Sequence, residues 1–227
     1  MLNLVATPIG NLDDISYRQA KTLSESDVIL SEDTRSARTL LDRIEKLFGL
    51  KLLAHCKIWS YYKEREFDKL HEILTLLEEG KNISLITESG MPLISDPGYL
   101  LVHHASERNL PFTVIPGPSS VTTALVHSGF NPKNFLFLGF LPKKSSQLEI
   151  LIKKTIEMKK ILPDLVFVAF ESPNRINKTL ELFSNKLPES DFVVARELTK
   201  MFEEIARGKP SELKDREYKG EIVVLFK

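Results

Sequence analysis

The chain has 227 residues, with 31 Lys plus Arg against 31 Asp plus Glu and a formal net charge of zero. At roughly 150 residues per domain, that is one large domain or two compact ones. Apolar residues at 42% and charged residues at 27%, with 10 Gly and 12 Pro, exclude intrinsic disorder, a collagen-like chain and a polycation.

In chain order, Leu2–Thr7 reads as a buried strand that breaks at Pro8-Ile9-Gly10-Asn11. A helix over Ser16–Leu23 and a strand over Val28–Ser31 follow. Ser36–Phe48 reads as a helix capped by Ser36, with Leu40, Ile44, Leu47 and Phe48 on one stripe. Leu52–Cys56 is strand-like, and Phe67, Leu70, Ile73, Leu74 and Leu77 trace another helical stripe. A strand over Asn82–Thr87, a helix over Tyr99–Arg108, a strand over Phe112–Ile115 and a helix over Ser119–His127 complete five strand–helix alternations. That pattern predicts an α/β domain with a mainly parallel five-stranded sheet. Gly129, Asn131, Pro132 and Asn134 punctuate the chain, so the boundary is expected there, with domains 1–130 and 131–227. Beyond it, strands are expected at Phe135–Phe140, Leu165–Phe170, Phe192–Arg196 and Ile222–Phe226, with helices at Gln147–Lys160 and Arg175–Leu187. A weaker strand at Phe202–Ala206 would form a hairpin with its predecessor and make the second sheet mixed.

Cys56 stands alone, which excludes an internal disulfide and suits a reducing cytosol. His55, His71, His103, His104 and His127 show no metal-ligand spacing, so no metal is expected. Neither a signal peptide nor an apolar run of about 18 residues is present, and the expectation is a cytoplasmic protein with no membrane contact.

Ligands of open parallel sheets bind beyond the carboxyl ends of the strands. Four of the first five strands end there in specific sequences: Thr7-Pro8-Ile9-Gly10-Asn11, Ser31-Glu32-Asp33-Thr34-Arg35, Glu88 to Gly98, and Pro116-Gly117-Pro118-Ser119-Ser120. Each has a bland alternative, a tight turn or a salt-bridged helix start. The Glu88–Gly98 loop is the hardest to dismiss, because two Pro and two Gly with few charges expose backbone along a fixed, irregular path. None carries G-x-G-x-x-G or a Walker lysine, so a dinucleotide or ATP site is poorly supported.

These segments, together with Glu171-Ser172-Pro173-x-Arg175-Ile176, Ala195-Arg196-Glu197-Leu198-Thr199-Lys200 and Gly220-Glu221, resemble the ribosomal RNA small subunit methyltransferase I family. That family is a branch of the tetrapyrrole (corrin/porphyrin) methylase superfamily. The resemblance runs from residue 7 to residue 221. It implies two α/β domains with S-adenosylmethionine bound in the cleft between them, a homodimer, and 2′-O-methylation of a cytidine ribose in small-subunit ribosomal RNA or the 30S particle. By position it implies cofactor contacts at Pro8, Glu88, Ser89, Gly90, Met91, Ile94, Ser119, Ser120, Leu198 and Thr199. The chain departs from the family in carrying Glu88-Ser89-Gly90 for Asp-Ala-Gly and Glu64-Arg65-Glu66 for His-Asn-Glu, and it stops at Lys227 without the C-terminal extension of many relatives.

Methyl transfer to a ribose hydroxyl needs alignment and a base. The catalytic candidates are Glu32, Asp33, Arg35, Glu171, Arg196, Glu197 and Lys200; the bland reading is that these Arg–Glu pairs merely brace loop ends. Lys143, Lys144 and Arg175 are candidate contacts to RNA phosphates, against the ordinary reading of a solvated face. Trp59, Tyr61 and Tyr62 could stack on bases or simply pack. Two other readings share the cofactor: a tetrapyrrole methylase, and a non-catalytic S-adenosylmethionine-binding protein of ribosome assembly.

Overall fold

The computed structural model describes residues 1–227. By its own contacts the chain forms two units, Met1–Ser119 and Ser120–Lys227. The division precedes the Gly129–Asn134 punctuation because helix α5 (Ser120–Ser128) packs on strands of the second unit. Arg207 ties it there by donating to the carbonyls of His127 and, at 3.2 Å, Ser128.

The first unit runs β1 (Leu2–Val5), α1 (Tyr17–Ser24), β2 (Val28–Ser31), α2 (Thr34–Phe48), β3 (Lys57–Ser60), α3 (Glu66–Glu78), β4 (Ile83–Leu85), α4 (Tyr99–Glu107) and β5 (Phe112–Ile115). Its sheet has the order β3-β2-β4-β1-β5, with every pair parallel. Helices cover both faces, so β1, β2 and β4 are buried throughout and their sequences are nearly continuous in apolar residues. Leu2, Leu4, Leu30 and Leu85 pack with Leu70, Ile73 and Leu74 of α3 and Leu101 of α4. Val5, Ile29, Ile86 and Ile115 pack with Leu23 of α1 and Leu40 and Ile44 of α2 on the other side.

Two sequence expectations need correction here. The strand expected at Leu52–Cys56 lies at Lys57–Ser60, in register with Val28–Ser31. Leu50, Leu52 and Cys56 are apolar because they pack against the core beside α2 before the chain enters the sheet. Helix α2 begins at Thr34, and its cap is Asp33, not Ser36: the Asp33 carboxylate accepts from the Arg35 amide at 2.7 Å.

In the second unit α5 is followed by β6 (Phe135–Phe140), α6 (Ser145–Ile161), β7 (Val166–Glu171), α7 (Ile176–Lys186), β8 (Phe192–Arg196), β9 (Glu204–Gly208), α8 (Pro210–Leu213) and β10 (Ile222–Phe226). The sheet order is β6-β7-β10-β8-β9. Only β6 and β7 are parallel, so the sheet is mixed as expected, and the β8–β9 hairpin starts at Glu204 rather than Phe202. Phe226 stacks on Phe167 and Phe192, and Phe183 meets Phe192 edge-on and Phe226 at a tilt, with centroids 4.8–5.1 Å apart at the heart of its core.

Candidate active site

Beyond the carboxyl ends of β1 and β4 the backbone is cross-braced by hydrogen bonds. Thr7 and Gly90 pair antiparallel, Thr7 N–H to the Gly90 carbonyl at 2.9 Å and the reverse bond at 3.2 Å. The Thr7 hydroxyl donates to the Thr87 carbonyl at 3.1 Å and the Thr87 hydroxyl to Gly90 at 3.3 Å. Gly90 has φ +83°, and an added Cβ would already touch Ile9 at 3.4 Å. Leu93 and Ser95, both with φ +70°, extend the same loop in the left-handed region. Glu88 and Ile94 are exposed on it, Ser89 and Met91 half-buried.

A hollow of about 200 Å³ opens at this edge, lined by buried Thr7, Pro8, Leu40, Ile86 and Thr87, with exposed Ser36, Thr39 and Glu88 at its rim. Ligand-enclosing pockets run to about 300–1,000 Å³, so this one has room for only part of a ligand of that size. Apolar side chains with hydroxyls and a carboxylate at the rim fit a portion of S-adenosylmethionine, whose sugar hydroxyls and ammonium need such partners. Of the expected cofactor residues Pro8 and Glu88 line it; Ser89, Gly90, Met91, Ile94, Ser119 and Ser120 do not. Ser119 and Ser120 stand half-buried at the start of α5.

Helix α2 lines the hollow with Ser36, Ala37, Thr39 and Leu40, and the Glu32–Arg35 segment leads into it. Asp33 caps the helix and holds the Arg35 guanidinium at 2.8 Å, and that guanidinium, with the backbone amide, draws its carboxyl down to about 2. The Glu32 carboxylate is exposed and enters no hydrogen bond or ion pair; only its backbone carbonyl accepts, from Ser60.

In the second unit the β8–β9 turn is equally constrained. Glu197 (φ +51°) and Thr199 (φ +66°) are left-handed, so four of the five non-glycine residues in that region belong to the two motif-bearing loops. Such conformations cost about 1–3 kcal/mol each and collect at functional sites. The Glu197 carboxylate accepts from the Glu221 amide and from the Lys200 ammonium, each at 2.9 Å. Burial would raise its carboxyl, but these donors outweigh it and the net shift is downward. Burial likewise opposes the Lys200 ammonium, but Glu197 and Glu221 prevail and Lys200 is raised. Arg196 is committed to Glu204 at 2.7 Å, and Leu198 is buried.

Glu171 and Arg175 form a post. Glu171 is buried and accepts from the Thr179 hydroxyl at 2.7 Å and the Ser172 amide at 2.6 Å, with Arg175 at 2.5 Å. Arg175 also donates to the Leu141 carbonyl at 3.1 Å, so it holds the loop carrying Lys143 and Lys144. Those two lysines are exposed. Trp59 and Tyr62 lie under Lys69 and Arg65, and Tyr61 is buried, so this cluster packs.

Three further residues brace the motif-bearing loops, two in the first unit and one in the second, and sequence reasoning missed them. Buried Gln19 donates to the Ala6 carbonyl at 2.7 Å and abuts Gly117, where a Cβ would sit 2.2 Å from its amide. Glu66 accepts from the Gly98 amide at 2.5 Å and closes the Glu88–Gly98 loop onto α3. Glu203 accepts from the amide of left-handed Thr199 at 2.6 Å. The capping box Ser16-x-x-Gln19 is a readable signal for Gln19; for the other two the bonds depend on tertiary contact and no local pattern announces them.

Comparison with known proteins gives this geometry a family. The family model for tetrapyrrole (corrin/porphyrin) methylases matches residues 1–214. The chain is 38% identical over 231 residues to the ribosomal RNA small subunit methyltransferase I of Thermotoga maritima, covering 99% of this chain and 97% of that one. The protein of the same name from Coprothermobacter proteolyticus is also 38% identical, over 99% and 96% of the two chains. Among solved structures, the methyltransferase CobJ superposes with a TM-score of 0.72 at 16% identity, over 99% of this chain and 92% of that one. Diphthine synthase gives 0.70 at 14%, over 99% and 89%; these two likenesses show the fold alone. The chain therefore belongs to the ribosomal RNA small subunit methyltransferase I family, within the tetrapyrrole (corrin/porphyrin) methylases.

Proposed function

We propose that the protein is an S-adenosylmethionine-dependent methyltransferase that modifies the 2′-hydroxyl of a cytidine ribose in small-subunit ribosomal RNA. The observation that carries this reading is 38% identity, over nearly the whole of both chains, to proteins named for ribosomal RNA methylation. When bound, S-adenosylmethionine supplies a methyl group on a positively charged sulfur, ready for in-line displacement by an aligned oxygen. The paired Thr7–Gly90 loops, Pro8, Glu88 and the Ser89–Ile94 stretch hold it, with Ser119. Their braced backbones spare the cost of ordering loops when the ligand arrives.

A ribose hydroxyl must lose its proton as the methyl arrives, and Glu32 takes it. Among the carboxylates considered, Glu32 alone is exposed and unpaired. Asp33 caps α2 and is bound by Arg35, Glu171 is buried in its post, and Glu197 is bound by Lys200. Lys200, raised by its two carboxylates, keeps its proton and serves to hold Glu197. Arg196 and Arg175 set loop positions, while exposed Arg35 and Lys143 with Lys144 meet RNA phosphates. A cytoplasmic homodimer belongs to the same proposal and is checked by sedimentation of the purified chain.

The test is transfer of radiolabelled methyl from S-adenosylmethionine to 30S particles from a strain lacking this activity, followed by nuclease mapping. Label in a 2′-O-methylated cytidine supports the reading. Cofactor binding without transfer to any ribosomal RNA refutes it in favour of a non-catalytic role, and transfer to a tetrapyrrole refutes it in favour of that substrate.

A further inference from the structure

Strand β6 contains an irregularity with a consequence for substrate binding. Phe135, Leu136 and Phe137 pair in step with Val166, Phe167 and Val168, but Phe140 pairs with Phe170, one position behind regular register. The extra residue is absorbed at Leu138-Gly139, where Gly139 has φ +67°. Side chains alternate along a strand, so without this bulge Phe140 would share a face with Leu136 and Leu138, which pack against the core. With it, Phe140 joins Phe137 on the opposite face. Both rings meet Phe170 edge-on, at 5.0 and 5.3 Å between centroids, and Phe140 remains 59% exposed. Bulges re-aim side chains in this way next to active sites.

Just beyond Phe140 the chain carries Lys143 and Lys144, both exposed and neither in an ion pair. Arg175 fixes the intervening loop through the Leu141 carbonyl. Helix α6 starts at Ser145 with Lys144 as its N-cap and no side-chain hydrogen bond to its first amides, so the positive end of its dipole faces the same loop.

We propose that this strand end grips single-stranded RNA, with Phe140 stacked on an unpaired base and Lys143 and Lys144 on the flanking phosphates. This deepens the RNA reading above and rests on it. A ring held from one side by Phe170 and open on the other is a stacking platform already in place. Bases stacked inside a duplex cannot reach it, so the partner is a loop or unpaired strand.

The experiment measures anisotropy of a fluorescein-labelled, unstructured pyrimidine RNA oligonucleotide across a salt series, with calorimetry of S-adenosylmethionine binding alongside. Phe140→Ala weakens RNA binding roughly 5- to 150-fold at every salt concentration, Phe140→Tyr restores it, and cofactor affinity stays the same. Lys143→Ala with Lys144→Ala lowers the log–log salt slope by about 1.4. If Phe140→Ala misfolds, Phe140→Leu keeps an apolar contact with Phe170 but offers no ring. Lost RNA affinity in that variant at an unchanged melting temperature supports the platform. RNA binding equal to wild type in either folded variant overturns it while leaving the function standing; a wild-type chain that binds no RNA overturns both.

Discussion

Gly220 and Gly129 form a matched pair for testing the β8–β9 turn. Both are left-handed, with φ +78° and +77°, but an added Cβ at Gly129 meets nothing within 4 Å, whereas at Gly220 it falls 2.1 Å from Glu197 Oε1 and 2.3 Å from Cδ. Gly129→Ala therefore carries only the backbone cost, about 1–2 kcal/mol. Gly220→Ala carries the same cost and also evicts the Glu197 carboxylate from the Glu221 amide and Lys200, each at 2.9 Å. Moving the end of a flexible side chain is cheap in itself; the expense lies in the bonds it gives up. A hydrogen bond to a charged group is worth about 1.5–3 kcal/mol; counting the Glu221 amide bond alone, because the Lys200 pair is partly exposed and screened, Gly220→Ala should destabilise by about 2.5–5 kcal/mol in total. Urea unfolding of the two variants reads the difference directly, with calorimetry of S-adenosylmethionine binding on the folded fraction. Equal destabilisation would mean that Glu197 swings aside at no cost, and would remove it as the pin that ties the β8–β9 turn to Glu221.

Glu32→Gln removes a proton acceptor without changing size, so methyl transfer should fall roughly 10²- to 10⁴-fold with cofactor affinity intact; retained turnover would disqualify Glu32 as the base. Glu66→Ala frees the Gly98 amide bonded at 2.5 Å and the buried Tyr61 hydroxyl at 3.3 Å, and faster hydrogen exchange in the Glu88–Gly98 loop, with weaker cofactor binding, is the expected result. Glu197 has a carboxyl lowered from 4.5, so its contribution is present above that ordinary value and disappears as pH falls through the lower folded value. Protection of the Glu221 amide should accordingly drop in acid for the wild type, and Glu197→Gln should abolish that dependence.

The parallel sheet was legible because strands buried on both faces must be apolar throughout, and Leu2–Val5, Val28–Ser31 and Ile83–Leu85 can hardly be read otherwise. Leu52–Cys56 misled for the same reason in reverse: apolar residues that line the flank of α2 look locally like a strand. Ser36 and Asp33 are both good caps, and only the observed start of α2 at Thr34 decides between them. At the site, the motifs marked which loops matter, but pairing decided what each charge can do. Glu32 and Asp33 are neighbours of similar chemistry, yet one is free and the other is bound to Arg35. The Phe140 platform was illegible, because a one-residue bulge reverses the face that alternation assigns.

The position of β10 also bears on how the protein assembles during synthesis. The last strand in chain order lies in the middle of its sheet, bonded to β7 on one side and β8 on the other. While Ile222–Phe226 remain inside the ribosomal tunnel, the β6–β7 pair and the β8–β9 hairpin have open edges where their shared neighbour belongs, and unpaired edges invite aggregation. The first unit has all its strands by Ile115 and can close earlier. The nascent chain therefore carries a finished half and an incomplete one until Ile222–Phe226 emerge, and a stop codon just ahead of β10 would remove the centre of the second sheet rather than trim its margin.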